Sequence, residues 1–264
     1  MENNCSEVVE IVLSQKVRAT DRASFETENY KAPAMALWKR LLDVSVILLT
    51  APLTLLIGAV VVLIIKAGSC GPVIFKQERV GHKGRRFVCY KFRTMQVDAE
   101  TDSHQGHTAQ LIKSSVPMTK LDAIKDARII PLGSVLRATG LDELPQLINV
   151  LRGEMSIVGP RPCVGYEYEM YEEWQKRRFD AVPGLTGLWQ VSGKNRTTFN
   201  QMINLDIEYS EQSSLWLDVK IMFKTVPALA VQCLDQRAKR KQAQRDREAS
   251  QSSDVVARRA NVTS

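Results

Sequence analysis

The stretch Val44–Ile65, VSVILLTAPLTLLIGAVVVLII, decides the architecture. It runs for 22 residues without a charge, and 17 of them are Val, Ile, Leu or Ala. A helix of that length matches the hydrocarbon core of a bilayer, and one that is apolar on every side belongs more readily in lipid than in a soluble core. Pro52 lies inside the run. It removes a backbone hydrogen bond and crowds the preceding turn, so the sequence predicts a kink. Lys39 and Arg40 precede the run and Lys66 follows it. With basic residues on both flanks, the positive-inside rule favours neither orientation. A kinked helix that enters and leaves by one leaflet satisfies both flanks.

Outward from this segment, the chain totals 264 residues and carries a formal net charge of +7. Hydrophobic content of 44% and charged content of 25% exclude a wholly disordered chain and a multi-span membrane protein. The charge is uneven. Residues 66–93 hold 8 basic residues against 1 acidic, residues 236–264 hold 8 against 3, and residues 94–235 hold 14 against 18. The basic excess hints at an acidic partner: nucleic acid, a membrane surface or a phosphorylated substrate. Cys5, Cys70, Cys89, Cys163 and Cys233 are scattered and odd in number, which indicates neither a zinc site nor a disulfide framework.

Residues 1–34 read as a polar, flexible leader and residues 233–264 as a basic, disordered tail. Between them, residues 35–66 form the re-entrant membrane helix. Residues 67–232 form the folded domain, whose last helix suits a membrane interface and ordinary core packing equally. Alternation over residues 72–95, with Gly81 and Gly84 between apolar runs, predicts a hairpin. Residues 98–125 read as a loop with a short helix. Short helices are expected over 132–138 and 142–151, with further helices over 164–180, 198–212 and 214–232. Three glycines and a proline make Pro183–Asn195 a loop. The fold class is therefore α+β, mainly helical, with a small β element and one Pro-kinked membrane helix.

Individual motifs are weak. Asp142 and Glu143 open a helix, where free N–H groups keep carboxylates ionised and attract phosphate. An ionised Asp there can act as a nucleophile, and a neighbouring Glu can hold a divalent cation. Thr139 with Asp142 is equally an ordinary capping box. Gly159-Pro160-Arg161-Pro162 is a rigid turn presenting one arginine, suited to bidentate phosphate recognition. Lys91 and Arg93 share a strand face by their spacing of two. Lys194-Asn195-Arg196 is a further candidate phosphate contact.

In order along the chain, these pieces combine. A basic pair precedes a Pro-broken apolar helix, followed by GPVIFKQERVG, YKFRTM, LDELPQLINVLRGEMSIVGPRP, PGLTGLWQVSGKNR and LDVKIMFKT. The sequence resembles the bacterial sugar transferase family, the monotopic phosphoglycosyl transferases, over roughly residues 38–232. It looks most like members that start exopolysaccharide or O-antigen repeat units with galactose or glucose phosphate. The resemblance implies transfer of a sugar-1-phosphate from a UDP-sugar to undecaprenyl phosphate at the cytoplasmic leaflet of the bacterial inner membrane. It implies Asp142 as nucleophile and Glu143 as Mg²⁺ ligand. It further implies Asp218 as an active-site carboxylate, Arg161, Lys91, Arg93 and Lys194 near the phosphates, and Pro52 as the break in the re-entrant helix. Two positions depart from the family pattern: Val182 stands where Arg is usual, and Lys194 where Arg is frequent. A homo-oligomer is kept open.

Two rival classes stand beside this reading. A membrane-anchored scaffold or regulator of polysaccharide synthesis would use Asp142 only as a helix cap. A nucleic-acid binder would explain the basic excess, but no recognised module is present and the 44–65 segment argues against it.

Overall fold

A computed structural model describes residues 35–96, 129–193, 197–235 and 238. The expected leader, the loop over 98–125, Lys194 and most of the basic tail lie outside the described residues. Leu37–Gly68 form one 32-residue helix, α1, which continues across Pro52. Around the proline, the Thr50 hydroxyl donates to the Val46 carbonyl at 2.8 Å and the Thr54 hydroxyl to the Thr50 carbonyl at 3.1 Å. Such back-bonding gives the two hydroxyls acceptors within an apolar segment and favours bending. Only 11% of the most apolar window of α1 is buried, and Leu49 is 84% exposed. A core helix of a soluble protein would bury most of that surface; this one is long and apolar enough to cross a membrane.

The buried positions of α1 are Lys39, Asp43, Ile47, Val61 and Ile65. Steps of four place each of these groups on one side of a helix. Ile47 packs with Phe87, Cys89, Val150 and Met155. Val61 and Ile65 pack with Phe92, Ile130 and Leu136. Both ends of the helix therefore rest on the same folded body.

The expected hairpin is present. Strand β1, Ile74–Val80, pairs antiparallel with β2, Arg86–Phe92. Lys83 at the tip has a φ of 54°. Helix α2, Gly133–Thr139, ends at Gly140, whose φ of 74° is the left-handed stop that glycine adopts readily. The next segment corrects the expectation of one helix over 142–151. Leu141–Gln146 is a 3-10 helix containing Pro145, and an α-helix, α3, starts only at Leu147 and runs to Arg152. The capping box also fails: the Thr139 hydroxyl turns back to the Val135 and Leu136 carbonyls at 2.9 and 3.1 Å.

Strand β3, Ser156–Val158, pairs in parallel with β4, Gly184–Thr186, inside the segment expected to be loop. The approach is close: a Cβ on Gly184 would lie 2.0 Å from the Gly159 nitrogen, which no side chain tolerates. The expected helix over 164–180 is three short pieces. These are α4, Gly165–Glu169, α5, Glu173–Lys176, and a 3-10 turn over Arg177–Asp180. A short helix α6, Leu188–Val191, precedes α7, Phe199–Gln212. Helix α7 opens on a true capping box between Thr198 and Gln201, as its sequence demands. A final helix, α8, is described over residues 215–235. It leaves Trp216 and Phe223 each 77% exposed. Cys89, Cys163 and Cys233 are free thiols.

The start of α1 is fixed by polar contacts. Lys39 Nζ donates to Asp218 Oδ2 at 2.5 Å, to the Tyr209 hydroxyl at 2.9 Å and to the Val158 carbonyl at 2.9 Å. Three donors meet three acceptors, and the ammonium is fully satisfied. Asp43 Oδ1 accepts from Ser156 Oγ and the Ile157 amide, each at 3.0 Å. The Arg40 guanidinium donates to the Val150 and Leu151 carbonyls near the end of α3.

Candidate active site

The hairpin and the 3-10 turn build the site between them. In β2, Cys89 and Lys91 lie two residues apart and so share one face. The hairpin register sets Gln77 opposite Cys89 and Arg79 opposite Phe87, which brings Arg79 to that face as well. Asn149 locks the strand to α3: its side chain accepts from the Tyr90 amide at 3.2 Å and donates to the Val88 carbonyl at 2.7 Å. This holds Lys91 over the 3-10 turn that carries Asp142 and Glu143. From the opposite side, Pro160 and Pro162 stiffen the turn that presents Arg161. The Arg161 carbonyl accepts from Arg178 at 3.0 Å, and Arg178 in turn pairs with buried Asp206 at 2.6 Å.

A small cleft results, lined by Arg79, Cys89, Lys91, Glu143, Gln146, Arg161, Pro162 and Gly184. Glu143 Oε1 accepts from Lys91 Nζ and from Arg161 Nη2, each at 2.9 Å. Burial raises the Glu143 carboxyl, but the charges of Arg161 and Lys91 outweigh it and hold the group well below the usual carboxylate range. Glu143 is thus a fixed anion at neutral pH. Asp142 differs. It makes no hydrogen bond or ion pair among the described residues. Burial, helped by the adjacent Glu143 charge, raises its pKa, and Lys91, Arg161 and Arg137 oppose that rise. Adjacent carboxylates therefore have distinct characters: one clamped by two cations, the other unencumbered and partly desolvated.

Of the residues singled out from the sequence, Asp142, Glu143, Lys91 and Arg161 come together. Arg93 does not join them. It follows the end of β2, and its guanidinium donates to the Ser69 and Cys70 carbonyls just beyond α1. Asp218 is also placed elsewhere. It is 0% exposed and its carboxylate is taken up by Lys39 and Tyr209. Val182 is buried beside the β3–β4 pair. Sequence reasoning missed Arg79, whose signal was a spacing of two from Gln77 combined with the hairpin register. It also missed Lys39 and Asp43 as buried groups; their i, i+4 spacing at the head of the apolar run was the available sign.

Among the described residues no three ligating side chains form a cluster. Mg²⁺ characteristically takes one or two carboxylates and completes its shell with phosphate oxygens and water. Glu143, whose Oε1 alone is engaged by Lys91 and Arg161 among the described residues, is a donor of that chemistry.

Comparison with known proteins places this geometry. The model of the bacterial sugar transferase family matches residues 34–232. The chain belongs to the bacterial sugar transferase family. It is 46% identical over 157 residues to the galactosyl transferase CpsE of Streptococcus agalactiae, covering 59% of this chain and 34% of that protein. It is 38% identical over 203 residues to the exopolysaccharide production protein ExoY of Sinorhizobium fredii, covering 75% of this chain and 88% of ExoY. It is 38% identical over 221 residues to the UDP-glucose:undecaprenyl-phosphate glucose-1-phosphate transferase of Xanthomonas campestris, covering 80% of this chain and 41% of that enzyme. The chain thus spans about a third of the length of CpsE and most of ExoY. Membership places it among the sugar transferases, and the matched region contains the whole cleft.

Proposed function

We propose that this sugar transferase moves a sugar-1-phosphate from a UDP-sugar, galactose or glucose, to undecaprenyl phosphate, starting a polysaccharide repeat unit. The observation that carries the chemistry is the contrast between Asp142 and Glu143. A nucleophile needs a carboxylate oxygen that no cation or donor occupies, and among the described residues none engages Asp142. Its oxygen attacks the phosphorus bonded to the sugar. The bond from that phosphorus to the bridging oxygen breaks, UMP leaves, and the phosphosugar is held on Asp142 as an acyl phosphate. An oxygen of undecaprenyl phosphate then attacks the same phosphorus, the bond to Asp142 breaks, and the carboxylate is restored. Lys91 and Arg161 neutralise phosphate charge beside it, the kind of positioning and electrostatic stabilisation on which phosphoryl transfer depends. Mg²⁺, held by Glu143, would supply further neutralisation of the phosphate oxygens.

We read α1 as re-entrant, with the catalytic body on the cytoplasmic face of the inner membrane. A 32-residue helix is about 48 Å long if straight. Had it crossed a bilayer, its far end would lie across the membrane from the body that holds Lys39 and Asp43. Instead Val61 and Ile65 pack on that same body. The exposed apolar faces of α1 and α8 suit burial in one leaflet.

The deciding assay is Mg²⁺-dependent UMP release from a panel of UDP-sugars, with and without undecaprenyl phosphate. No release with any sugar would remove this reading in favour of a scaffold. Glu143→Gln should raise the half-saturating Mg²⁺ concentration roughly tenfold or more; an unchanged metal dependence removes Glu143 as the ligand. The pH profile gives a further check. Asp142 must be ionised to attack, and its pKa is raised. Activity is therefore expected to fail on acidification above the ordinary aspartate value of 3.8. Lys91 favours the ionised form, so Lys91→Gln should move this acid limb to higher pH. An acid limb that stays put in Lys91→Gln would show that another group governs it.

A further inference from the structure

Arg79 lines the cleft, yet it is not paired as the other two cations are. Lys91 and Arg161 share Glu143, whereas no carboxylate lies within salt-bridge distance of Arg79 among the described residues. Its Nε and Nη2 donate to Gln77 Oε1 at 3.1 and 2.7 Å, and Nη1 donates to the Pro162 carbonyl at 3.3 Å. These acceptors are neutral. An arginine carries five N–H donors, so two are left without an acceptor among the described residues. Burial, and then the positive charge of Arg161, push the Arg79 guanidinium down, and the more distant Glu167 charge opposes this without reversing it. Gln77 and the Pro162 carbonyl nevertheless fix the fork in place.

We infer that Arg79 is a phosphate-binding residue whose free N–H groups take a phosphate oxygen of the substrate. This rests on the proposed function and adds a third cation to it. The cleft sets Arg79, Lys91 and Arg161 against Glu143, with Asp142 beside it, and the surplus positive charge suits a diphosphate or a phosphate monoester. A guanidinium held by a side-chain amide and a carbonyl is pre-organised for such an anion. Both the nucleotide and the lipid acceptor carry phosphate, and the test separates them.

The full chain, purified in detergent, is titrated with UDP, and UMP release is measured against undecaprenyl phosphate concentration. Arg79→Gln is expected to weaken one phosphate ligand roughly ten- to hundredfold. Arg79→Lys keeps the charge but not the fork, and should lie between Arg79→Gln and wild type. Lys76→Gln removes a positive charge from the exposed face of the same strand and should stay within twofold of wild type. A loss of UDP affinity assigns Arg79 to the nucleotide. A loss confined to the apparent KM for undecaprenyl phosphate assigns it to the lipid phosphate. Unchanged values for both overturn the inference and leave the proposed function standing. Wild-type protein that neither binds UDP nor releases UMP overturns both. Where Arg79→Gln fails to fold, the wild type still decides. Mass spectrometry after phenylglyoxal treatment should show Arg79 protected by saturating UDP or lipid phosphate, and equal modification with and without either ligand overturns the inference.

Discussion

Asp142→Asn is expected to reduce UMP release by on the order of 10³-fold or more, because an amide cannot attack phosphorus or hold the phosphosugar. The variant should fold normally. Asp142 is partly exposed and has no hydrogen bond or ion pair among the described residues, so the amide leaves no buried partner unsatisfied. An unchanged melting curve together with lost turnover would separate chemistry from stability. The same variant discriminates against the scaffold reading, in which Asp142 only caps a helix. Near-normal release by Asp142→Asn would refute the nucleophile. The contrast with Glu143 sharpens the test. Glu143→Gln disturbs a carboxylate shared by Lys91 and Arg161, so a loss there mixes metal binding with the placement of two cations. Asp142 is the cleaner probe.

The largest effect on stability is expected from Lys39→Met. The Lys39–Asp218 pair is 2.5 Å apart, with side chains 9% and 1% exposed. Deleting one partner of such a pair leaves an uncompensated buried charge and costs about 3–5 kcal/mol. For a domain of this size that corresponds to a melting temperature lower by roughly 6–20 °C. Exchanging Lys39 and Asp218 together for Met and Leu should recover much of the loss, since both charges then go. Thermal melts of the two single variants and the double variant in detergent form the cycle. A Lys39→Met protein that melts with the wild type would show that the pair is not buried in the folded molecule.

Much of the fold was legible where a local pattern sets the outcome. The charge-free run became α1, the alternation around Gly81–Gly84 became the hairpin, and Gly140 ended α2. What escaped depends on distant partners. The β3–β4 pair joins two three-residue strands, and neither carries a periodicity long enough to read. The helix expected over 142–151 starts late because Pro145 sits within its first turns. At the site, Asp142, Glu143, Lys91 and Arg161 were recognisable, and the fold gathers them. Arg93 obeys the same spacing as Lys91, but β2 ends at Phe92 and the arginine turns to the chain after α1. Lys39 read as one of the basic charges flanking the apolar run; it is instead a buried ion-pair partner. Arg79 required knowledge of the hairpin register, which no single strand reveals.

Helix α1 is no detachable tether. It contributes Ile47 to one hydrophobic cluster and Val61 and Ile65 to another, and its first turns supply Lys39, Arg40 and Asp43 to the body beneath. Trimming the chain to a water-soluble fragment after Gly68 would strip those clusters and orphan Asp218 in one cut. The apolar helix and the candidate site are a single folding unit, so biochemistry on this protein has to be done with α1 in place.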